Sequence, residues 1–424
     1  MFALSKNRIL VFCYLTIFSL LTNRAYAQET IKVDTSNFSY LRLDPSNAIG
    51  GKVSDFFSEI EYIPLETIKE SLFGSILRLE VLEDRFIILE NSNHFILIFN
   101  SSGKYLSKVG TQKEYLTELS INRFTKQILF SNDRGKTLTV CDLNGTVLKK
   151  IKFEANADKT KTTSSQMIFL GNDESVGSNY YDNIEINSKY YKPFSKYLIH
   201  YAKSDRTVYA QALPYGKLQN NLDVINVGIG PLTLTDIDTA SFYSKAYDYS
   251  IYQISPKTVK LLYKIIFPAY FSVPTNFATD TTLDGNRYQW FEKHPDAIFC
   301  VSNFFRAGDN ITFKTTSWNS TKEDDLIYNT KSGTLSALRH IEQDSLSYHL
   351  PIFDETSAIS NKNGVLASDK DNLYLSLSSL EMFKFYNLNL ENKSLYPTKL
   401  LSYLKKGSKK DNAVIVRLKL KKSL

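Results

Sequence analysis

Between Ile76 and Gly110 the chain reads ILRLEVLEDRFIILENSNHFILIFNSSGKYLSKVG, four short apolar runs separated by Glu-Asp-Arg, Asn-Ser-Asn-His and Ser-Ser-Gly-Lys. Runs of this length, rich in Ile, Leu, Phe and Val and bounded by turn-forming residues, predict a four-stranded antiparallel meander. Gly103 supplies the positive φ that a tight hairpin needs. A single such sheet cannot bury both faces, so the unit must recur if it is to build a core. Its closing hairpin returns at Thr137 to Ile151, Tyr197 to Ala212, Ser250 to Ile265 and Leu326 to Ile341, with a weaker copy at Phe383 to Leu395. The spacing predicts an all-β chain: a six-bladed β-propeller of four-stranded antiparallel blades. A ring made of sequential blades leaves two open edges unless its ends meet. Closure is therefore expected from pairing of Glu59 to Glu66 with the last blade, near Phe383 to Leu395 or Asn412 to Lys422.

Residues 1–27 have the layout of a secretory signal. Lys6 and Arg8 precede an apolar run from Ile9 to Leu21, and Ala25-Tyr26-Ala27 offers the small residues of a cleavage site. The run is shorter than the ~20 residues of a spanning helix, and no other stretch is long and apolar enough to span a bilayer. The expected organisation is a signal over 1–27, an N-terminal segment over 28–58 and the propeller over 59–424. An exported chain, periplasmic or displayed at the cell surface, admits disulfides. Cys141 and Cys300 nevertheless fall in the second and fifth sheets, on opposite sides of a six-membered ring, and should stay free thiols.

Charge changes the picture little. The whole chain carries +7, and without the signal it carries +4, of which the segment from Leu401 to Leu424 accounts for +7. The body is thus faintly acidic, and nucleic acid is not an expected partner. Asn412 to Lys422 alternates strictly, with Val414, Val416, Leu418 and Leu420 on one face and Arg417, Lys419 and Lys421 on the other, so it reads as a strand whose lysines guard a sheet edge.

Three stretches carry a family likeness: IEYIPLET (Ile60 to Thr67), the IFNSSGKYLSKVG hairpin, and YSIYQISPKTVKLLYKIIFP (Tyr249 to Pro268). With the C-terminal DNAVIVRLKLK, they make the chain resemble the six-bladed β-propeller family common in exported proteins of Bacteroidetes, whose members carry a domain of unknown function. The resemblance implies a fold and an exported location, and no reaction. Two positions depart from it: a GxGPGEY-like segment appears as GTQKEY (Gly110 to Tyr115), and Glu90 stands where Asp is frequent.

No nucleophile elbow, HExxH, phosphate loop or paired CxxC occurs, and the five histidines lack ligand spacing. No cofactor or metal is expected. Asp236-Ile237-Asp238 and Asp369 to Asn372 lack the Gly and distant Glu of a calcium loop and read as turns. Aromatic residues, 13% of the chain, are the more informative feature. Three insertions carry them on the ring face where blades connect: Asp182 to Lys196, Ala269 to Pro295, and the loop after Trp318. The candidate ligand-binding residues are Tyr288, Trp290, Trp318, Tyr190 and Tyr191, since flat rings gathered on one face stack on sugars or hold an apolar chain. The expected function is non-catalytic binding of a glycan, peptide or partner protein. The alternative is a propeller lyase or lactonase-like enzyme with its site in the central channel.

Overall fold

The computed structural model describes residues 28–110, 116, 118–132, 137–152, 159–162, 167–179, 188, 191–215, 232–235, 237–319, 324–354, 364–369 and 372–422. The signal segment and most of GTQKEY lie outside them. The chain enters along the rim of a ring through four short strands, β1 (Glu29–Thr30), β2 (Val33–Asp34), β3 (Ser39–Arg42) and β4 (Ile49–Lys52). One helical turn, α1 (Val53–Phe56), leads into the full strand β5 (Phe57–Pro64).

Blade I then forms from β6 (Ile76–Leu82), β7 (Arg85–Glu90), β8 (Ile96–Asn100) and β9 (Tyr105–Val109). Blade II holds β10 (Glu118–Asn122), β11 (Gln127–Asn132), β12 (Thr137–Asp142) and β13 (Val147–Lys152). Blade III holds β14 (Met167–Phe169), β15 (Glu174–Ser178), β16 (Tyr197–Lys203) and β17 (Val208–Pro214). Blade IV holds β18 (Leu232–Leu234), β19 (Ser241–Ser244), β20 (Ser250–Ser255) and β21 (Thr258–Ile266). After α2 (Arg287–Lys293), blade V comprises β22 (Ile298–Ala307), β23 (Asn310–Ser317), β24 (Asp324–Asn329) and β25 (Leu335–Glu342). Blade VI contains β26 (Ala367–Asp369), β27 (Asn372–Leu377) and β28 (Val414–Leu420), with α3 (Ser379–Leu388) and α4 (Thr398–Lys406) between the last two.

The repeated hairpin is chemically concrete. In blades I, II and V an Asn or Asp ends the third strand, and its side chain accepts backbone N–H bonds from the turn: Asn100 from Ser102 and Lys104, Asp142 from Asn144 and Thr146, Asn329 from Lys331 and Ser332. The same turns contain a positive-φ glycine, Gly103, Gly145 or Gly333. At Gly103 (φ +80°) a Cβ would also lie 2.2 Å from the Pro64 carbonyl oxygen, so this hairpin touches the closing strand of the neighbouring blade. A register shift inside the outer hairpin recurs in blades I to IV, for example between Ile98 and Phe99 and between Val140 and Cys141. Such bulges increase the twist of the outer strands.

The ring closes as the sequence predicts. β5 pairs antiparallel with β28, from Pro64 opposite Val414 to Phe57 opposite Leu420. Ile63 and Ile415, directly opposed, are fully buried against blade I, and Tyr62 on the other face donates from its hydroxyl to the Pro351 carbonyl at 3.0 Å. Two expectations are corrected here. Phe383 to Leu395 is not a sixth hairpin but the end of α3 followed by a 3-10 turn, because Ser378 caps a helix by accepting from the Glu381 N–H at 3.2 Å. The lysines of β28 guard no edge: β5 lies outside β28, and Arg417 and Lys419 pair with Glu61 (2.5 Å) and Glu59 (2.7 Å) on it.

The rim strands were not anticipated. β1 adds in parallel to β17 of blade III, β2 and β3 to β21 of blade IV, and β4 to β25 of blade V. Ile31, Leu41 and Leu43 of this strap are buried in the main core. Cys141 on β12 and Cys300 on β22 are buried thiols outside any disulfide among the described residues, in blades II and V. No helix among the described residues is long and apolar enough to cross a membrane.

Candidate functional site

Antiparallel order places the links between successive blades and the loops between second and third strands on one face of the ring. The largest well-described insertion there is 267–297, between blades IV and V. Its scaffold is Arg287, 1% exposed, whose guanidinium donates to the carbonyls of Phe277 (2.9 Å), Ala278 (3.3 Å) and Asp280 (2.7 Å) and pairs with Asp284 at 2.9 Å. A buried guanidinium is tolerable only when its donors are taken up in this way. The strap braces the same insertion from outside, since the Tyr270 hydroxyl donates to Asp44 Oδ1 at 3.1 Å.

On this scaffold the rings assemble around Phe291 and Phe277, both fully buried. Trp318 stacks on Phe291 with centroids 5.9 Å apart and planes 12° apart. Tyr288 meets Trp318 edge-on at 5.9 Å. Trp290 contacts Phe277 edge-on at 5.0 Å and is stacked by His294 at 4.2 Å. Tyr288 and Trp318 remain 41% and 42% exposed, whereas Trp290 is partly buried against the core. Beside Trp318, Asn319 Nδ2 donates to Asp296 Oδ1 at 3.0 Å, and the Asn319 N–H donates to the Pro295 carbonyl at 2.7 Å. The structure therefore brings Tyr288, Trp290 and Trp318 into one cluster and gives them different duties: Trp290 packs, while Trp318 and Tyr288 present surface. Tyr191 belongs to blade III, its N–H bonded to the Ser188 carbonyl, and is not part of this cluster; Tyr190 lies outside the described residues.

The other marked residues take structural positions. Glu90 is fully buried and its carboxylate accepts N–H bonds from Ser92 and Asn93 in the loop that follows β7. Asp369 bonds Asn372 Nδ2 at 2.7 Å and the Tyr374 hydroxyl at 2.5 Å across the first turn of blade VI. Asp238 lies in a turn of blade IV, and Asp236 is outside the described residues. Among the described residues no group of His, Cys, Asp and Glu is arranged to hold a metal ion.

A cleft of about 570 Å³ opens on blade VI at the seam, lined by Glu59, Ile60, Glu61, Asp369, Asn372, Arg417 and Lys419. Its cations are the partners of the Glu61 and Glu59 carboxylates just described, so its charge is largely matched within the wall. On the inner strand of blade I, Glu80 bonds Arg78 at 2.7 Å and Arg123 of blade II at 3.4 Å, an ionic link between neighbouring blades.

A family model described as a domain of unknown function, DUF4934, matches residues 42–419. The chain belongs to that family. A candidate exported protein of Bacteroides fragilis is similar in structure, with a TM-score of 0.63 at 13% identity, over 90% of this chain and all of that one. A DUF4221 family member from Bacteroides vulgatus aligns over 86% of this chain and 97% of its own, at 9% identity and a TM-score of 0.47. No curated protein matches. The family match begins at Arg42 and ends at Lys419, so β5 and all of β28 but Leu420 lie within it, and most of the strap precedes it.

The pair of Asn319 with Asp296 and the bracing by Arg287 escaped sequence reading. Both join residues that are polar and unremarkable in one dimension, and only the fold shows that they meet at one insertion.

Proposed function

We propose that this DUF4934 propeller is an exported, non-catalytic binding module that takes a glycan on its insertion-bearing face. The supporting observation is Trp318: one face of its ring rests on buried Phe291, its surface is 42% exposed, and the Asn319–Asp296 pair stands beside it. A ring held rigid from behind loses little entropy when a sugar stacks on it, and adjacent amide and carboxylate groups bond hydroxyls. The exported location rests on the signal-like leader and on the likeness to a candidate exported protein. A periplasmic or surface position suits such a module.

Glycan arrays probed with Trp318→Ala and Tyr288→Ala test the reading. A stacked ring contributes ~1 kcal/mol, so Trp318→Ala should weaken binding about fivefold with the melting temperature almost unchanged. Trp290→Ala should instead destabilise the fold. If Trp318→Ala leaves glycan binding intact, or costs stability as a core truncation does, the site is wrong.

A further inference from the structure

The outer strands of the blades do not share one environment. β17, β21 and β25 each have a strap strand beside them, and β5 is itself the outermost strand of blade VI. In blade I the Tyr105 N–H of β9 donates to Glu66 Oε2 at 2.9 Å, so that edge is partly capped. Among the described residues β13 is the last strand of the blade II sheet, and along it Val147, Leu148, Lys149, Lys150 and Lys152 are all exposed. The strap runs from blade III to blade V, and one step back along the same rim is blade II.

We propose that β13 is a strand-addition site for an acidic extended segment of a partner protein, received in the parallel orientation that β1, β2, β3 and β4 adopt on their blades. Main-chain bonds at a sheet edge supply affinity, and alternate side chains supply selectivity. From the register, Lys149 and Ile151 lie opposite Val140 and Leu138 on the face toward blade III, and Lys150 and Lys152 lie opposite Thr139 and Thr137 on the other. A parallel partner strand with two apolar residues beside Val147 and Leu148, then acidic residues beside the three lysines and an apolar one beside Ile151, matches every position. Lysines also select against the obvious competitor. A second copy pairing edge to edge would bring the Lys149–Lys150 pairs of both copies together, which is repulsive. An acidic strand meets no such obstacle.

The purified protein is followed by amide hydrogen exchange with and without a short peptide bearing Val-Val-Glu-Glu-Val-Glu. The peptide should slow exchange of the outward amides of Val147–Lys152 by about tenfold or more, an effect weakened by salt. It should be lost in Lys149→Glu/Lys150→Glu, or in Lys152→Glu if the double variant folds poorly. The reversed peptide and one with Lys in place of Glu should give no protection. Protection by the Lys peptide, or none by the acidic one, overturns the proposal. So does a β13 already protected in free protein, with sedimentation telling a second copy from the chain's own leader.

Discussion

Blades II and III share a strand plan and a bulged outer hairpin, yet their outer edges are treated in opposite ways. β17 of blade III is buried at five of its seven positions and carries the strap strand β1 at Ala210 and Gln211, whereas β13 of blade II is exposed at five of its six positions. Exposed strand edges invite unwanted pairing, and proteins either cover them or charge them. This chain does both, covering blades III to V with its own N-terminal segment and charging blade II with lysines. The repeat unit therefore sets the sheet, and what flanks it sets whether that sheet is finished or available.

The largest expected effect comes from cutting the N-terminal segment at two places. Removing residues 28–66 takes away β5 with its fully buried Ile63, and opens the ring at blade VI. The product should fail to fold, seen as loss of a cooperative transition. Removing residues 28–44 strips only the cover from blades III and IV. Ile31, Leu41 and Leu43 each bury an aliphatic side chain worth roughly 1.5–3 kcal/mol, offset by the cost of ordering the segment, so the net loss should be a few kcal/mol from a ring still closed. In that variant β17 and β21 should exchange their amides as β13 does. If the shorter deletion also abolishes folding, strap and closure are one device and the contrast between the arcs fails.

Acid should act on the strapped arc next. His200 on β16 is fully buried, 2.7 Å from Thr162 Oγ1, and burial together with the Arg206 and Lys192 cations pushes it down to about 3. Its folded pKa lies below the unfolded value of about 6.5. The stability it contributes is complete above that value and lost as pH falls toward 3. Asp325 on β24 behaves oppositely: burial raises it to about 6, so its share is complete below about 3.9 and lost as pH rises through 6. The two slopes oppose each other between about 4 and 6, and because the histidine shift is the larger its loss prevails outside that window, from 6.5 toward 6 and again below about 4. Denaturant midpoints across this range should show a flatter acid limb in His200→Gln, and in Asp325→Asn a steeper decline as pH falls from 6 to 4, because the opposing carboxyl is gone. An unchanged acid limb in His200→Gln would remove this histidine from the account.

Legibility followed the same division. Blades I to V were readable because each outer hairpin carries its turn chemistry locally, as in Asn100 with Gly103 or Asp142 with Gly145. Closure was readable because a ring of sequential blades must seal its two open edges and β28 alternates as a strand. The strap was not, because its strands are two to four residues long and acquire strand form only by pairing with a finished blade. Blade VI misled for another reason: Phe383 to Leu395 has apolar residues at hairpin-like spacing, while Ser378 and Glu381 upstream form the S-x-x-E signature of a helix start. At the site, the aromatic residues were visible, but which ring packs and which is presented depends on Arg287 and Phe291, whose burial no local pattern announces.

The smallest expected effect uses the two thiols as reporters of the two arcs. Cys141 and Cys300 are both thiols outside any disulfide and essentially unexposed, at 0% and 2%, so their exposure does not distinguish them. Burial raises the Cys141 thiol to about 11, which leaves little thiolate while the blade stays shut. Alkylation of native protein must then await local opening, which is easiest where an edge lacks a neighbour. Cys141 sits on β12, beside β13, the last described strand of its sheet, whereas Cys300 sits on β22 in a sheet finished by β4. Native-state labelling should modify Cys141 before Cys300, by about tenfold in rate if opening of the two sheets differs by ~1.4 kcal/mol. Unfolded, non-reduced protein should show both thiols reacting at once. Earlier labelling of Cys300 would mean that the strap does not steady the blade it covers, and a disulfide between the two would contradict their placement in blades II and V.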